Sequence, residues 1–166
     1  MNRFFALIPA LVACALAQAA PPANDPLDYG GFARNVAEVG ELRESRRISE
    51  EEFMRMARLP GTVVLDARSE RLYRLRHVEG AVNLSLPEFT AATLAKVIPG
   101  RDTRVLIYCN NNFDNAPESF PAKALALNLS TFVSLHAYGY RNVYELAPAV
   151  DLARSKLAFA GSEVAR

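Results

Sequence analysis

Two short runs constrain the fold most. Thr62-Val-Val-Leu-Asp66 and Arg104-Val-Leu-Ile-Tyr108 are apolar almost without interruption. A strand with one wet face alternates polar and apolar residues, whereas these lack that alternation and fit strands covered on both sides, as in a parallel sheet. Each run ends on residues that stop a strand. Asp66-Ala67-Arg68 follows the first, and Cys109-Asn110-Asn111-Asn112 follows the second, the asparagines favouring turns and unusual backbone angles.

Helical signals separate the strands. Ser49 and Glu52 have the spacing of a capping box, Phe53, Met56 and Ala57 form the buried stripe behind it, and Leu59-Pro60-Gly61 closes that helix. Residues 69–77 read as a short exposed helix, and Gly80 turns the chain into a short strand over 81–84. Pro87 suits the first turn of a helix over 88–97, which Pro99-Gly100 terminates. Phe132, Val133, Leu135 and Tyr138 form a helix closed by Gly139, opening at Asn128 or further back at Ser119. Residues 143–146 read as a last strand and 150–159 as a last helix. The alternation predicts an α/β domain with a central parallel β-sheet and helices on both faces.

The N-terminus belongs outside this domain. Arg3, the apolar stretch 4–16 and Ala17-Gln18-Ala19 have the pattern of an export signal over residues 1–20. Leu11-Val12-Ala13-Cys14 also resembles a bacterial lipobox, so cleavage near Ala19 or Ala20 and lipid attachment at Cys14 both stay open. The stretch is short for a bilayer-spanning helix, and no other apolar span occurs, so no integral membrane span is expected. The expected location is the bacterial periplasm. Residues 21–46 read as a Pro-rich linker plus an accessory helix over 31–43, with Phe32, Val36 and Val39 on its buried face and Gly40 as a weak point. The charged run 41–47 reads as solvated surface. The main domain is expected over 47–160, with a tail over 161–166.

Charge excludes some functions. The formal net charge is +1, with no basic run or basic–aromatic stripe of the kind nucleic acid requires. One cysteine outside the export signal and two scattered histidines lack the paired spacing of a zinc site, so neither a metal nor another cofactor is expected. The lack of a Cys-x-x-Cys pair excludes a self-contained thioredoxin-type oxidoreductase. What remains is a single thiol, Cys109, at the carboxyl end of a buried strand, where parallel sheets place their ligands. A lone cysteine in an exported chain points to a reactive thiol or intermolecular pairing.

Four segments in order resemble a rhodanese-homology domain: Val64-Leu65-Asp66-Ala67-Arg68, His77-Val78-Glu79-Gly80-Ala81-Val82-Asn83-Leu84, Val105-Leu106-Ile107-Tyr108-Cys109, and Tyr138-Gly139-Tyr140-Arg141-Asn142-Val143-Tyr144. The resemblance implies that Cys109 takes a sulfane sulfur as a persulfide and passes it to a thiol acceptor. The sulfur donor would be thiosulfate or a persulfide. The turn residues Asn110, Asn111, Asn112, Phe113, Asp114 and Asn115 would contact the donor, with Asp66 and Arg68 supporting from the neighbouring strand end. His77 is read as packing.

The chain departs from compact members of the family after Cys109. Thirty positions separate Cys109 from Gly139, and residues 110–122 contain no Arg or Lys. A Cys-x5-Arg phosphatase is therefore disfavoured, since its arginine clamps phosphate through two parallel hydrogen bonds. Two alternatives accompany sulfur transfer. One is a non-catalytic module whose long loop engages a periplasmic protein partner, and the other is a thiol redox sensor.

Overall fold

The computed structural model describes residues 28–115 and 118–164; the expected export signal, with Cys14, and the expected proline linker lie outside them. Helix α1 (Tyr29–Glu44) leads into β1 (Arg47–Ile48), α2 (Glu50–Ala57) and β2 (Thr62–Asp66). Next come α3 (Glu70–Leu75), β3 (His77–Val78), β4 (Val82–Asn83), α4 (Ala91–Val97) and β5 (Arg104–Tyr108). The chain continues through β6 (Phe113–Asp114), α5 (Leu127–Ala137), β7 (Val143–Leu146), β8 (Val150–Asp151) and β9 (Phe159–Ala160). The five strands β1, β7, β5, β2 and β4 form one sheet in that order, with every pairing parallel. Strand β5 lies at its centre, in register from Thr62↔Arg104 to Asp66↔Tyr108, so both strand ends reach the same edge.

The apolar runs are continuous because each face meets its own core. Val105 and Ile107 pack with Val39, Leu94, Ile98, Phe132 and Leu135, from α1, α4 and α5. Leu106 and Tyr108 point the other way, to Phe53 and Met56 of α2 and to Phe113 and Phe120. Period-two alternation along β5 thus divides its residues between two buried layers.

Several expectations are corrected. Residues 150–159 are not helical: Val150 and Asp151 pair as β8 with Phe113 and Asp114, and Phe159 pairs as β9 with Val78. Long-range pairing overrides a local helical pattern here. The helix expected over 88–97 is split. Leu86–Glu88 forms a 3₁₀ turn holding Pro87, and α4 restarts behind a capping box of Thr90 and Thr93. At α2 only half the expected box forms: Ser49 Oγ accepts from the Glu52 amide at 3.2 Å, while the Glu52 carboxylate turns to Arg55 at 2.6 and 2.7 Å. Neither Asn128 nor Ser119 caps α5, whose N-cap is Ala126. Its other end closes as expected: Gly139 has φ +88°, its amide donates to His136 O at 2.9 Å, and the Tyr140 amide donates to Leu135 O at 3.0 Å.

Helix α1 runs over Tyr29–Glu44, longer than expected, and only Val39 of its stripe is buried; Phe32 is 56% and Val36 40% exposed. The charged run 41–47, which overlaps the end of this helix, is only partly solvated: Glu41, Glu44 and Ser45 are exposed, but its arginines are engaged. Arg43 donates to both carboxylate oxygens of buried Glu145 on β7, at 2.8 and 2.5 Å, and Arg47 joins at 3.2 Å. Arg46 lies over the Tyr144 ring, 4.6 Å from its centroid. Ion pairing therefore fixes α1 to the sheet. Beyond residue 160 the chain stays attached, with the Ser162 and Glu163 amides donating to Arg74 O and Leu75 O at the end of α3. Among the described residues no helix is long and apolar enough to cross a membrane.

Candidate active site

Cys109 follows the last residue of β5 and is fully buried, 0% exposed. It opens a 3₁₀ turn over Asn110–Asn112. The Cys109 amide donates to Asn112 Oδ1 at 2.9 Å, and the Asn112 amide donates back to Cys109 O at 3.2 Å. Asn112 Nδ2 donates to Leu146 O at 2.7 Å and Pro148 O at 3.1 Å, while Asn128 Nδ2 donates to Asn112 Oδ1 at 3.1 Å. One buried carboxamide thus ties the cysteine backbone to the end of β7 and the first turn of α5. A buried amide with all its capacity used fixes geometry strongly, because losing any partner strands the others.

The other turn residues are put to different uses. Asn110 is buried, and its Oδ1 has no hydrogen-bond partner among the described residues. The same holds for Asn128 Oδ1, Thr131 Oγ1 and Ser119 Oγ. Such atoms are uncommon in a packed interior, and each leaves hydrogen-bonding capacity unspent. Asn111 Nδ2 donates to Lys123 O at 2.7 Å, and its Oδ1 accepts from the Lys123 amide at 3.3 Å. Phe113 is buried in an aromatic cluster, with ring centroids 4.4 Å from Phe120, 5.4 Å from Phe159 and 6.1 Å from Tyr108. Asp114 is exposed and pairs with Asp151 across β6 and β8. Asn115 is exposed and has φ 51°, a left-handed conformation asparagine tolerates.

Asp66 and Arg68 lie at the end of the neighbouring strand β2, whose last residue pairs with Tyr108. Arg68 Nε donates to Asp66 Oδ1 at 2.9 Å and Oδ2 at 3.2 Å, and Nη2 donates to Oδ2 at 2.6 Å, with both side chains fully buried. Arg68 Nη1 donates to Ser119 O at 2.7 Å, Nη2 to Arg76 O at 2.7 Å, and the guanidinium lies 4.3 Å from the Phe120 ring centroid. Tyr108, adjacent to Cys109, donates its hydroxyl to Asp66 Oδ2 at 2.5 Å and accepts from the Val78 amide at 3.1 Å. Burial pushes the Tyr108 pKa well above its usual range, and nearby Asp66 reinforces this, so the phenol keeps its proton. Burial alone would lower the Arg68 pKa, but the hydrogen bonds and charge of Asp66 raise it overall. Arg68 is thus a permanent cation whose charge is spent on Asp66. It anchors the long loop at Ser119 and Phe120.

The sequence profile of the rhodanese-like domain matches residues 49–149. The chain belongs to this family. Among solved structures, this rhodanese-like chain is similar to a rhodanese with anions from E. coli, at 23% identity and TM-score 0.42, covering 61% of this chain and 99% of that one. It is similar to a Bacillus halodurans protein at 17% identity and TM-score 0.48, covering 69% and 76% of the two chains. It is also similar to a thiosulfate sulfurtransferase from Pseudomonas aeruginosa at 20% identity and TM-score 0.47, covering 76% of this chain but 22% of that longer one. No curated protein matches.

Sequence reasoning placed Asp66 and Arg68 at the strand end beside Cys109; there their side chains bond to each other, Tyr108, Ser119 and Arg76, and make no hydrogen bond to Cys109 or to residues 110–115 among the described residues. It missed Tyr108, Ser119, Asn128, Thr131 and Lys123. Asn128 and Ser119 carried a signal, as polar residues that could open an apolar helix, and both were read as caps. His77 packs as expected, stacked on Tyr73 at 3.8 Å with Nδ1 2.8 Å from Tyr73 O.

Proposed function

We propose that this rhodanese-like domain is an exported bacterial sulfurtransferase or sulfur carrier that forms a persulfide on Cys109. The observation that carries the reading is the position of the thiol: it directly follows the central strand and heads a tight turn whose first amides, Asn110 and Asn111, lie outside the turn's own hydrogen bonding. Amides converging on a sulfur stabilise its anion, which is the reacting form. The Cys109 thiolate attacks the outer sulfur of the donor, the donor's S–S bond breaks, and its electrons leave on sulfite or on a thiolate. A thiol acceptor then attacks the Cys109 persulfide and regenerates the thiolate.

In the conformation described the thiol is covered, so transfer requires the loop after Cys109 to move aside and then close over the persulfide. The apolar stretch over 4–16 and the Ala17-Gln18-Ala19 site support export to the periplasm. The test is turnover of thiosulfate, and separately of a low-molecular-weight persulfide, with cyanide or a thiol as acceptor. Activity with at least one donor, abolished by Cys109→Ser in a folded protein, is expected. Equal activity in the Cys109→Ser variant would overturn the assignment.

A further inference from the structure

We propose that Lys123 is the cation that receives an anionic sulfur donor at the Cys109 site; the donor's identity rests on the sulfur-transfer reading, while the position of the charge does not. Residues 110–122 supply no positive side chain, and the cation at the neighbouring strand end, Arg68, is fully buried and spent on Asp66. The loop nevertheless brings a positive charge back. Asn111, two residues after Cys109, grips both backbone polar groups of Lys123, through Nδ2 to its carbonyl at 2.7 Å and Oδ1 from its amide at 3.3 Å.

That two-bond grip mimics a strand bridge and fixes the Lys123 backbone beside the cysteine turn. The lysine itself is exposed and makes no ion pair among the described residues, although Asp114 and Glu118 lie on the same loop. An ammonium on a flexible four-carbon stem serves an oxyanion as a point charge and does not need the fixed fork of an arginine. The loop thus returns from its far end a cation that residues 110–122 lack. The unspent capacity of Asn110 Oδ1 and Asn128 Oδ1 lies deeper and carries no charge.

Two alkylating reagents of similar size but different charge test this on the intact domain. Iodoacetate is anionic and iodoacetamide neutral, so the ratio of their rates at Cys109 cancels loop opening and thiol ionisation. The expected ratio falls roughly threefold to tenfold in Lys123→Gln, further in Lys123→Glu, and recovers in Lys123→Arg. In the wild type it falls as salt rises. An unchanged ratio in Lys123→Gln and Lys123→Glu would overturn the proposal. Intact mass after thiosulfate separates the two ideas: a ratio that depends on Lys123 without sulfur gain by the wild type leaves the cation standing and removes the sulfur donor. Sulfur gain with a ratio indifferent to Lys123 does the reverse.

Discussion

Replacing Arg68 by Met tests whether the buried Asp66–Arg68 pair holds the loop. Methionine fills much of the same space but removes every donor. Asp66 then keeps only the Arg68 backbone amide at 3.0 Å and the Tyr108 hydroxyl at 2.5 Å as partners, in a place with no solvent. The carbonyls of Ser119 and Arg76 each lose a 2.7 Å donor. Breaking a buried ion pair from one side costs about 3–5 kcal/mol, and stranded carbonyls add roughly 1–3 kcal/mol each where water cannot reach them. Against a total stability of about 5–15 kcal/mol for a domain, the variant should be severely destabilised.

Urea unfolding followed by far-ultraviolet circular dichroism suits a chain with no tryptophan. Because part of the single-variant cost is the uncompensated Asp66, the pair Asp66→Asn with Arg68→Met should be less destabilised than the sum of the singles. The coupling should reach about 1–3 kcal/mol. A cost below about 1 kcal/mol for Arg68→Met, or strict additivity, would refute the picture of a desolvated pair anchoring the loop.

Two further predictions concern the frame around the site. Asn112→Ala removes the carboxamide joining Cys109, Leu146, Pro148 and Asn128, so it should cost about 2–4 kcal/mol in urea unfolding and speed iodoacetamide labelling of Cys109. Unchanged labelling would show that the turn is held by other means. His136 on α5 lies with Nδ1 2.6 Å from Asn35 Oδ1 of α1, and burial followed by the Arg141 charge lowers its pKa, with Glu38 opposing. Folding therefore favours the neutral ring, and the unfolded chain binds more protons between the two pKa values. The contribution of His136 is present above the unfolded value near 6.5 and is lost as pH falls from there toward the lower folded value. Urea midpoints between pH 7.5 and pH 5 should fall less in His136→Gln than in the wild type, and an identical fall in both would contradict this.

The sequence revealed what local physics decides. Val63 to Leu65 and Val105 to Tyr108 were legible as strands because a run buried on both faces needs no partner to be recognised. Gly139 was legible because a left-handed closure after Tyr138 demands it. The misread parts depend on residues far apart. Nothing within 150–159 tells Val150 that Phe113, 37 positions earlier, will offer it a strand edge. Arg43 and Arg47 looked solvated because their acceptor, Glu145, sits about a hundred residues away. Asp66 and Arg68 were recognisable as a pair at a strand end, but Arg68's contacts with Ser119 and Phe120 were not. The returning lysine was hidden for the same reason: Asn111 and Lys123 are twelve positions apart and meet only once the loop is folded.

The central claim is that Cys109 carries sulfur, and intact mass spectrometry of the reduced, folded domain after exposure to thiosulfate or a low-molecular-weight persulfide tests it most directly. A gain of one sulfur atom, reversed by reductant and absent in Cys109→Ser, is the predicted result. No gain from either donor, on protein whose Cys109 still reacts with iodoacetamide, would contradict it.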